Sequence, residues 1–174
     1  MSPADRDGAA LGGSVLESDR VVELYRHADP DAAQPPEIDD IVLETAAVAG
    51  VPMATLNLID TERQCPVVTT GFAGSVTPRR EAMCSVTLEL GTFVYVRDAR
   101  DDPRFAHSPW VDGRLGSVRF YASAPLVTRQ GFVIGTLCAF DIEPHELSEV
   151  QVAQLQQLAA RVVETFERER QHCA

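Results

Sequence analysis

Arg119-Phe120-Tyr121-Ala122-Ser123-Ala124-Pro125-Leu126-Val127, then Thr128-Arg129-Gln130-Gly131, then Phe132-Val133-Ile134-Gly135-Thr136-Leu137-Cys138-Ala139-Phe140-Asp141 is the stretch that decides the fold. Two apolar runs flank a short polar connector ending in glycine. That is the pattern of a β-hairpin whose turn needs a positive φ at Gly131. In the first run Phe120, Ala122, Ala124 and Leu126 alternate with Tyr121, Ser123, Pro125 and Val127. In the second, Phe132, Ile134, Thr136, Cys138 and Phe140 alternate with Val133, Gly135, Leu137 and Ala139. Neither set is polar enough to face water, so the sheet must be covered on both sides. Packed helices supply one cover; the other is open to being a cavity wall. Pro125 brings no N–H to a ladder, which predicts a bulge or an unpaired stretch there. Gly135 lets a neighbouring group come close to the sheet.

Downstream, residues 148–170 read as the clearest helix. Ser148 and Gln151 fit a capping box, and Leu147 with Val152 fits a hydrophobic staple. Val152, Leu155, Ala159, Val162 and Phe166 recur at three-four spacing, and Leu158 and Val163 widen the stripe. Such a face serves a sheet and a partner helix together, or is one broad core-facing stripe. Upstream, residues 37–49 form a second amphipathic helix with Ile38, Ile41, Val42, Thr45, Ala46 and Ala49 on one side. Gly50 ends it and Pro52 prevents its continuation.

Between these helices, residues 53–60 and 64–70 read as a hairpin across Thr61-Glu62-Arg63. Residues 83–90 are a short helix or irregular segment, and 92–96 a third strand. An acidic loop follows from Asp98. Asp102 with Pro103 predicts a capped short helix through His107. Residues 1–18 are small and polar and are expected to be mobile; a short helix over 19–28 precedes a proline-rich break. This order of elements describes an antiparallel sheet with helices packed against it. Its first and last helices pair on one face and its middle connections cross the other. The organisation is a mobile extension with a short helix over 1–34, then one domain over 35–171.

The 174 residues carry a net charge of −11, and all 15 basic residues are arginine. This argues against direct nucleic-acid binding, which needs clustered cations. No apolar run approaches the roughly 20 residues of a membrane helix. Residues 1–13 show no basic-then-apolar leader, so the expected location is cytoplasmic. Cys65, Cys84, Cys138 and Cys173 form no C-x-x-C and have no zinc-like histidine spacing. Free thiols are expected, with no metal and no cofactor, and Cys138 as a small buried hydrophobe. His27, His145 and His172 sit in polar segments and read as solvated.

Several stretches together resemble a GAF domain over residues 38–167: Leu56-Asn57-Leu58-Ile59-Asp60 with Gln64, Met83-Cys84-Ser85, Val96-Arg97-Asp98-Ala99 with Asp102-Pro103-Arg104-Phe105, the run from Arg119 to Leu126, and Gly135-Thr136-Leu137-Cys138 through Asp141. The resemblance implies an α/β (α+β) fold, a profilin-like three-layer α/β/α sandwich with a central antiparallel five- or six-stranded sheet, related to PAS domains and acting as a small-molecule sensor or dimerisation module in signalling. Its terminal helices would form the dimer bundle. Neither extension is long enough for an output domain, so the expected role is a stand-alone sensory and regulatory module. It would bind an unidentified small molecule, form a homodimer through its terminal helices, and act on a separate signalling protein. The cyclic-nucleotide signature of some members is not recognisable.

The expected cavity lies beneath the middle connections, with Cys84, Ser85, Asp98, Phe105, Trp110, Arg119, Phe120 and Tyr121 as ligand-binding residues. Alternatively the aromatics plug that space. Arg119 meets a ligand anion or pairs with an aspartate such as Asp98 or Asp112. One branch resembled, the free methionine-R-sulfoxide reductases, uses a nucleophilic and a resolving cysteine in this pocket, and Cys84 is similar to one such position. No second cysteine occurs from Ser85 to Leu137, so no resolving thiol is evident. The expectation is therefore no enzyme and no catalytic residue, with a thiol-dependent reductase of that type as the alternative. A Cys84–His107–Asp98 triad is a further arrangement the composition permits.

Overall fold

The computed structural model describes residues 4–173. Helix α1 (Ala4–His27) leads to α2 (Pro36–Ala49), then strands β1 (Met53–Ile59), β2 (Arg63–Thr70) and the short β3 (Thr77–Pro78). Helix α3 (Cys84–Leu90), β4 (Val94–Val96), β5 (Phe120–Val127), β6 (Val133–Asp141) and α4 (Glu149–His172) follow. The six strands form one antiparallel sheet in the order β3-β2-β1-β6-β5-β4. This is the expected sandwich. Helices α1, α2 and α4 cover one face, and α3 with the connections around it covers the other.

The helix-side core contains Ile38, Leu56, Phe120, Leu126, Val162 and Phe166. Every α2 residue assigned to the apolar side is buried, and Gly50 closes the helix at φ 70. Both halves of the Ser148–Gln151 capping box are present, and Gln151 Nε2 also donates to Val48 O (2.9 Å), tying α4 to the end of α2. The broad stripe of α4 rests against α2, β5 and α1 of its own chain.

Four expectations change. Helix α1 does not begin at Asp19 but at Ala4. No proline interrupts the chain between Pro3 and Pro30, so nothing in the backbone stops the helix earlier. The mobility expected of residues 1–3 lies outside the described residues. Second, the capped helix at Asp102 is a single turn: Asp102 O accepts from Phe105 N and Ala106 N, and the regular element is a 3-10 turn just before it, capped by Asp98.

Third, Pro125 stays in register with Thr136 on β6. Its other side is free because β4 ends at the Val94–Ser123 pair. The bulge comes one residue later, where Leu126 pairs Gly135 but Val127 pairs Val133. A one-residue slip reverses side-chain facing. Ile134 therefore joins Leu137 and Ala139 on the helix side, while Val133 packs with Cys138 on the other. Fourth, His27 is buried rather than solvated, with Nδ1 2.9 Å from Glu23 O. His145 is half-buried against Phe120 and Asp141, and His172 is exposed.

Candidate functional site

On β1 the residues Ala54, Leu56 and Leu58 go to the helix-side core, so Thr55 and Asn57 must point to the other face. The same alternation brings Tyr121 and Ser123 of β5, and Thr136 and Cys138 of β6, to that side. Cys84, the first residue of α3, comes down onto them. The result is a compact polar cluster inside an apolar layer.

Its geometry is close. Cys84 Sγ lies 2.9 Å from Tyr121 Oη and 3.2 Å from Cys138 Sγ. Asn57 Nδ2 donates to Cys84 Sγ (3.4 Å) and Thr136 Oγ1 (3.4 Å), while Thr55 Oγ1 donates to Asn57 Oδ1 (3.2 Å). Cys138 Sγ lies 3.3 Å from Ser123 Oγ and 3.2 Å from Thr136 Oγ1. Cys84 is 3% and Cys138 1% exposed. Burial pushes the Cys84 thiol up, and so does its contact with Cys138. Burial likewise raises the Tyr121 phenol, helped by the neighbouring sulfurs. Burial would raise Cys138 too, but the hydrogen bonds around it from Cys84, Ser123, Thr136 and Tyr121 outweigh that and bring it down to about 7. Hydroxyl protons rotate toward a thiolate, which is how they stabilise it.

Above this cluster lies a cavity of about 140 Å³, open to solvent. Its walls include Phe72, Met83, Trp110 and Phe140, with Pro66 and Val118. Gln64 also stands in the wall, and its buried Oε1 accepts no hydrogen bond among the described residues. A cavity of about 150 Å³ holds a benzene-sized molecule, whereas sites for larger ligands run from about 300 Å³ upward. As it stands, this one fits a small ring or short chain and not a nucleotide.

Of the residues expected at the site, Cys84, Trp110 and Tyr121 line the cavity. Phe105 is buried beneath it, edge-on to Tyr121 with ring centroids 5.3 Å apart. Ser85 turns away to donate to Arg79 O (2.6 Å). Phe120 lies in the opposite core with Tyr95 and His145, because neighbours on a strand cannot share a face. Arg119 is held by Asp98 through both ends of its guanidinium, with Nε 2.8 Å from Oδ1. That pair holds the Asp98 carboxyl down at about 2. Neither member lines the cavity.

No triad forms: His107 is exposed, Asp98 is engaged by Arg119, and the polar neighbours of Cys84 are Tyr121, Cys138 and Asn57. A second thiol does stand beside Cys84. It comes from β6, not from the intervening loops, which corrects the expectation that none is near. Sequence reasoning missed Thr55, Asn57, Gln64, Phe72 and Phe140 as cavity residues. The signal was present for two of them: Thr55 and Asn57 are polar residues alternating with apolar ones on a strand covered on both faces.

The GAF domain model matches residues 36–165. The chain is similar to a cyclic di-GMP phosphodiesterase of Pseudomonas aeruginosa, 37% identical over 127 residues, which are 72% of this chain and 21% of that protein. It thus spans about a fifth of the length of the curated relative it matches. Among solved structures it is similar to the GAF domain of a phosphoenolpyruvate-protein phosphotransferase from Coxiella burnetii (TM-score 0.65, 16% identity, 91% of this chain and 96% of that one). It is also similar to a free methionine-R-sulfoxide reductase from Neisseria meningitidis solved with its substrate (TM-score 0.64, 19% identity, 90% and 87%). At these identities the two structures speak for the fold.

Proposed function

The chain belongs to the GAF domain family, whose members are sensory and regulatory modules, and from that premise we propose that it senses one small, largely apolar molecule in the cavity over Cys84, Tyr121 and Trp110. The observation that carries this reading is the composition of the cavity. Aromatic and aliphatic walls enclose a few polar residues, among them Thr55, Asn57 and Gln64. A ligand with one polar group on an otherwise apolar body of about six to eight heavy atoms would fill the volume and match these walls.

Occupancy would be felt on the far side of the sheet. Tyr121 borders the cavity and Phe120, its neighbour, packs in the helix-side core beneath α4. A push on β5 therefore reaches the terminal helices. In this reading α2 and α4, through their outward faces, pair with a second copy or act on a separate signalling protein. Such a module works by differential binding and needs no chemistry of its own.

Mass spectrometry of the native protein, compared with the denatured one, tests the proposal. The expected result is a released molecule of the size just described, bound at one per chain. Retention of such a molecule after the cavity is filled by an Ala73→Phe substitution at its rim would contradict it.

A further inference from the structure

The cluster beneath the cavity contains more chemistry than ligand binding requires. Seven polar side chains, Thr55, Asn57, Cys84, Tyr121, Ser123, Thr136 and Cys138, are packed at or near the cavity floor. Simple packing would be met by alanine or valine, without the cost of burying hydroxyls, an amide and thiols. The cluster is arranged around two sulfurs that come from elements 54 residues apart and stand 3.2 Å from each other. A disulfide needs about 2.05 Å, so a shift of about 1 Å joins them. Both sulfurs border a cavity that opens to solvent and admits a molecule the size of peroxide.

We infer that Cys84 and Cys138 form a redox-active dithiol that reacts with hydrogen peroxide entering through the cavity and closes reversibly to a disulfide. The sulfur of Cys138, as thiolate, attacks one peroxide oxygen; the O–O bond breaks, an S–O bond forms, and the departing hydroxide takes a proton to leave as water. Cys84 then gives up its proton and attacks the Cys138 sulfenic sulfur. The S–S bond forms, the S–O bond breaks, and a second water leaves. Two thiols are oxidised and one peroxide is reduced. A dithiol reductant reverses the state by exchange at the disulfide. Cys138 is suited to the first role because the hydroxyls of Ser123 and Thr136 and the Cys84 thiol surround it. Cys84 is suited to the second because it is the only other sulfur that Cys138 contacts among the described residues. Closing the bond would remodel the floor against which a ligand rests, since Tyr121 would lose its thiol partner.

The experiment treats the purified full chain with equimolar hydrogen peroxide, blocks free thiols by alkylation under denaturing conditions, and maps the peptides. The expected result is a Cys84–Cys138 cross-linked peptide, lighter than the two thiol peptides by two hydrogens and lost on adding dithiothreitol. Its rate of formation rises with pH through about 7. Ser123→Ala, which removes one hydroxyl from beside Cys138, slows the reaction several-fold at neutral pH and moves that profile upward. A purely structural role for Ser123 would leave the profile unmoved. The inference is overturned if both cysteines stay alkylatable while exposed Cys173 is oxidised, or if methionine sulfoxide forms the disulfide and peroxide does not. None of these readouts requires that the sensed ligand be known.

Discussion

The backbone carbonyl of Asn57 occupies the space that a side chain on Gly135 would need: a Cβ there would overlap the carbonyl oxygen and stand 3.1 Å from the carbonyl carbon. Strands β1 and β6 are pressed together just where the β5–β6 ladder slips, and Asn57 reaches from there into the thiol cluster. Gly135→Ala is therefore expected to cost about 2–4 kcal/mol, because backbone and not a flexible side chain must yield. Gly131→Ala serves as the comparison. There φ is 88 and nothing stands within 4 Å of the added carbon. The cost is conformational only, about 1 kcal/mol. Urea denaturation of the two variants measures the difference, and equal midpoints would contradict the close approach.

The Asp98–Arg119 pair sets an acid limit. Arg119 holds the Asp98 carboxyl at about 2, below the unfolded value of about 3.9. A folded pKa below the unfolded one contributes stability that is fully present above about 4 and is lost as pH falls toward 2. Both groups are partly exposed, so solvent screening limits the effect to about 1 kcal/mol. Asp98→Asn should lower stability at neutral pH by that amount and flatten the stability slope between about pH 4 and 2. An unchanged slope would mean the pair contributes nothing.

Helix α1 is attached to the sheet through a buried arginine as well as through Leu24 in the core. Arg20 Nη1 donates to Ile59 O (2.7 Å) and Val133 O (3.2 Å), and Nη2 donates to Asp60 O (3.2 Å), while Glu17 neutralises the charge. Arg20→Leu removes this donor from the Ile59 and Val133 carbonyls, while Asp60 O keeps Arg79 Nη1 at 3.3 Å. Charge-assisted hydrogen bonds are worth about 1.5–3 kcal/mol, so the expected loss is about 2–4 kcal/mol. Amide exchange should accelerate across α1 before it does so in α2 or α4. Uniform acceleration through the three helices would contradict a separate attachment of α1.

Much of this fold was legible because period and punctuation agree. The buried side of α2, the Ser148–Gln151 cap and the turn at Gly131 each follow from local spacing that tertiary packing only reinforces. The candidate site was legible in part. Cys84, Trp110 and Tyr121 are at the cavity, but Phe120 was assigned there against its own alternation. Ile134 could not be placed, because a bulge is a property of paired strands and leaves no mark on one of them. The Cys84–Cys138 contact depends on where α3 descends onto the sheet, which no local pattern states. Gln64 was visible within a family resemblance but its unpaired oxygen was not, since satisfaction is a property of neighbours.

Trp110 is the single tryptophan of the chain and stands in the cavity wall, so its emission reports directly on what enters. Cyclohexanol, an apolar ring with one hydroxyl and a volume suited to the cavity, is a suitable non-fluorescent probe. Titration of the native chain is predicted to give a saturable change in Trp110 emission, abolished by Ala73→Phe. A change that is absent, or that grows linearly with probe and is the same in both proteins, would contradict a ligand-binding cavity at this site.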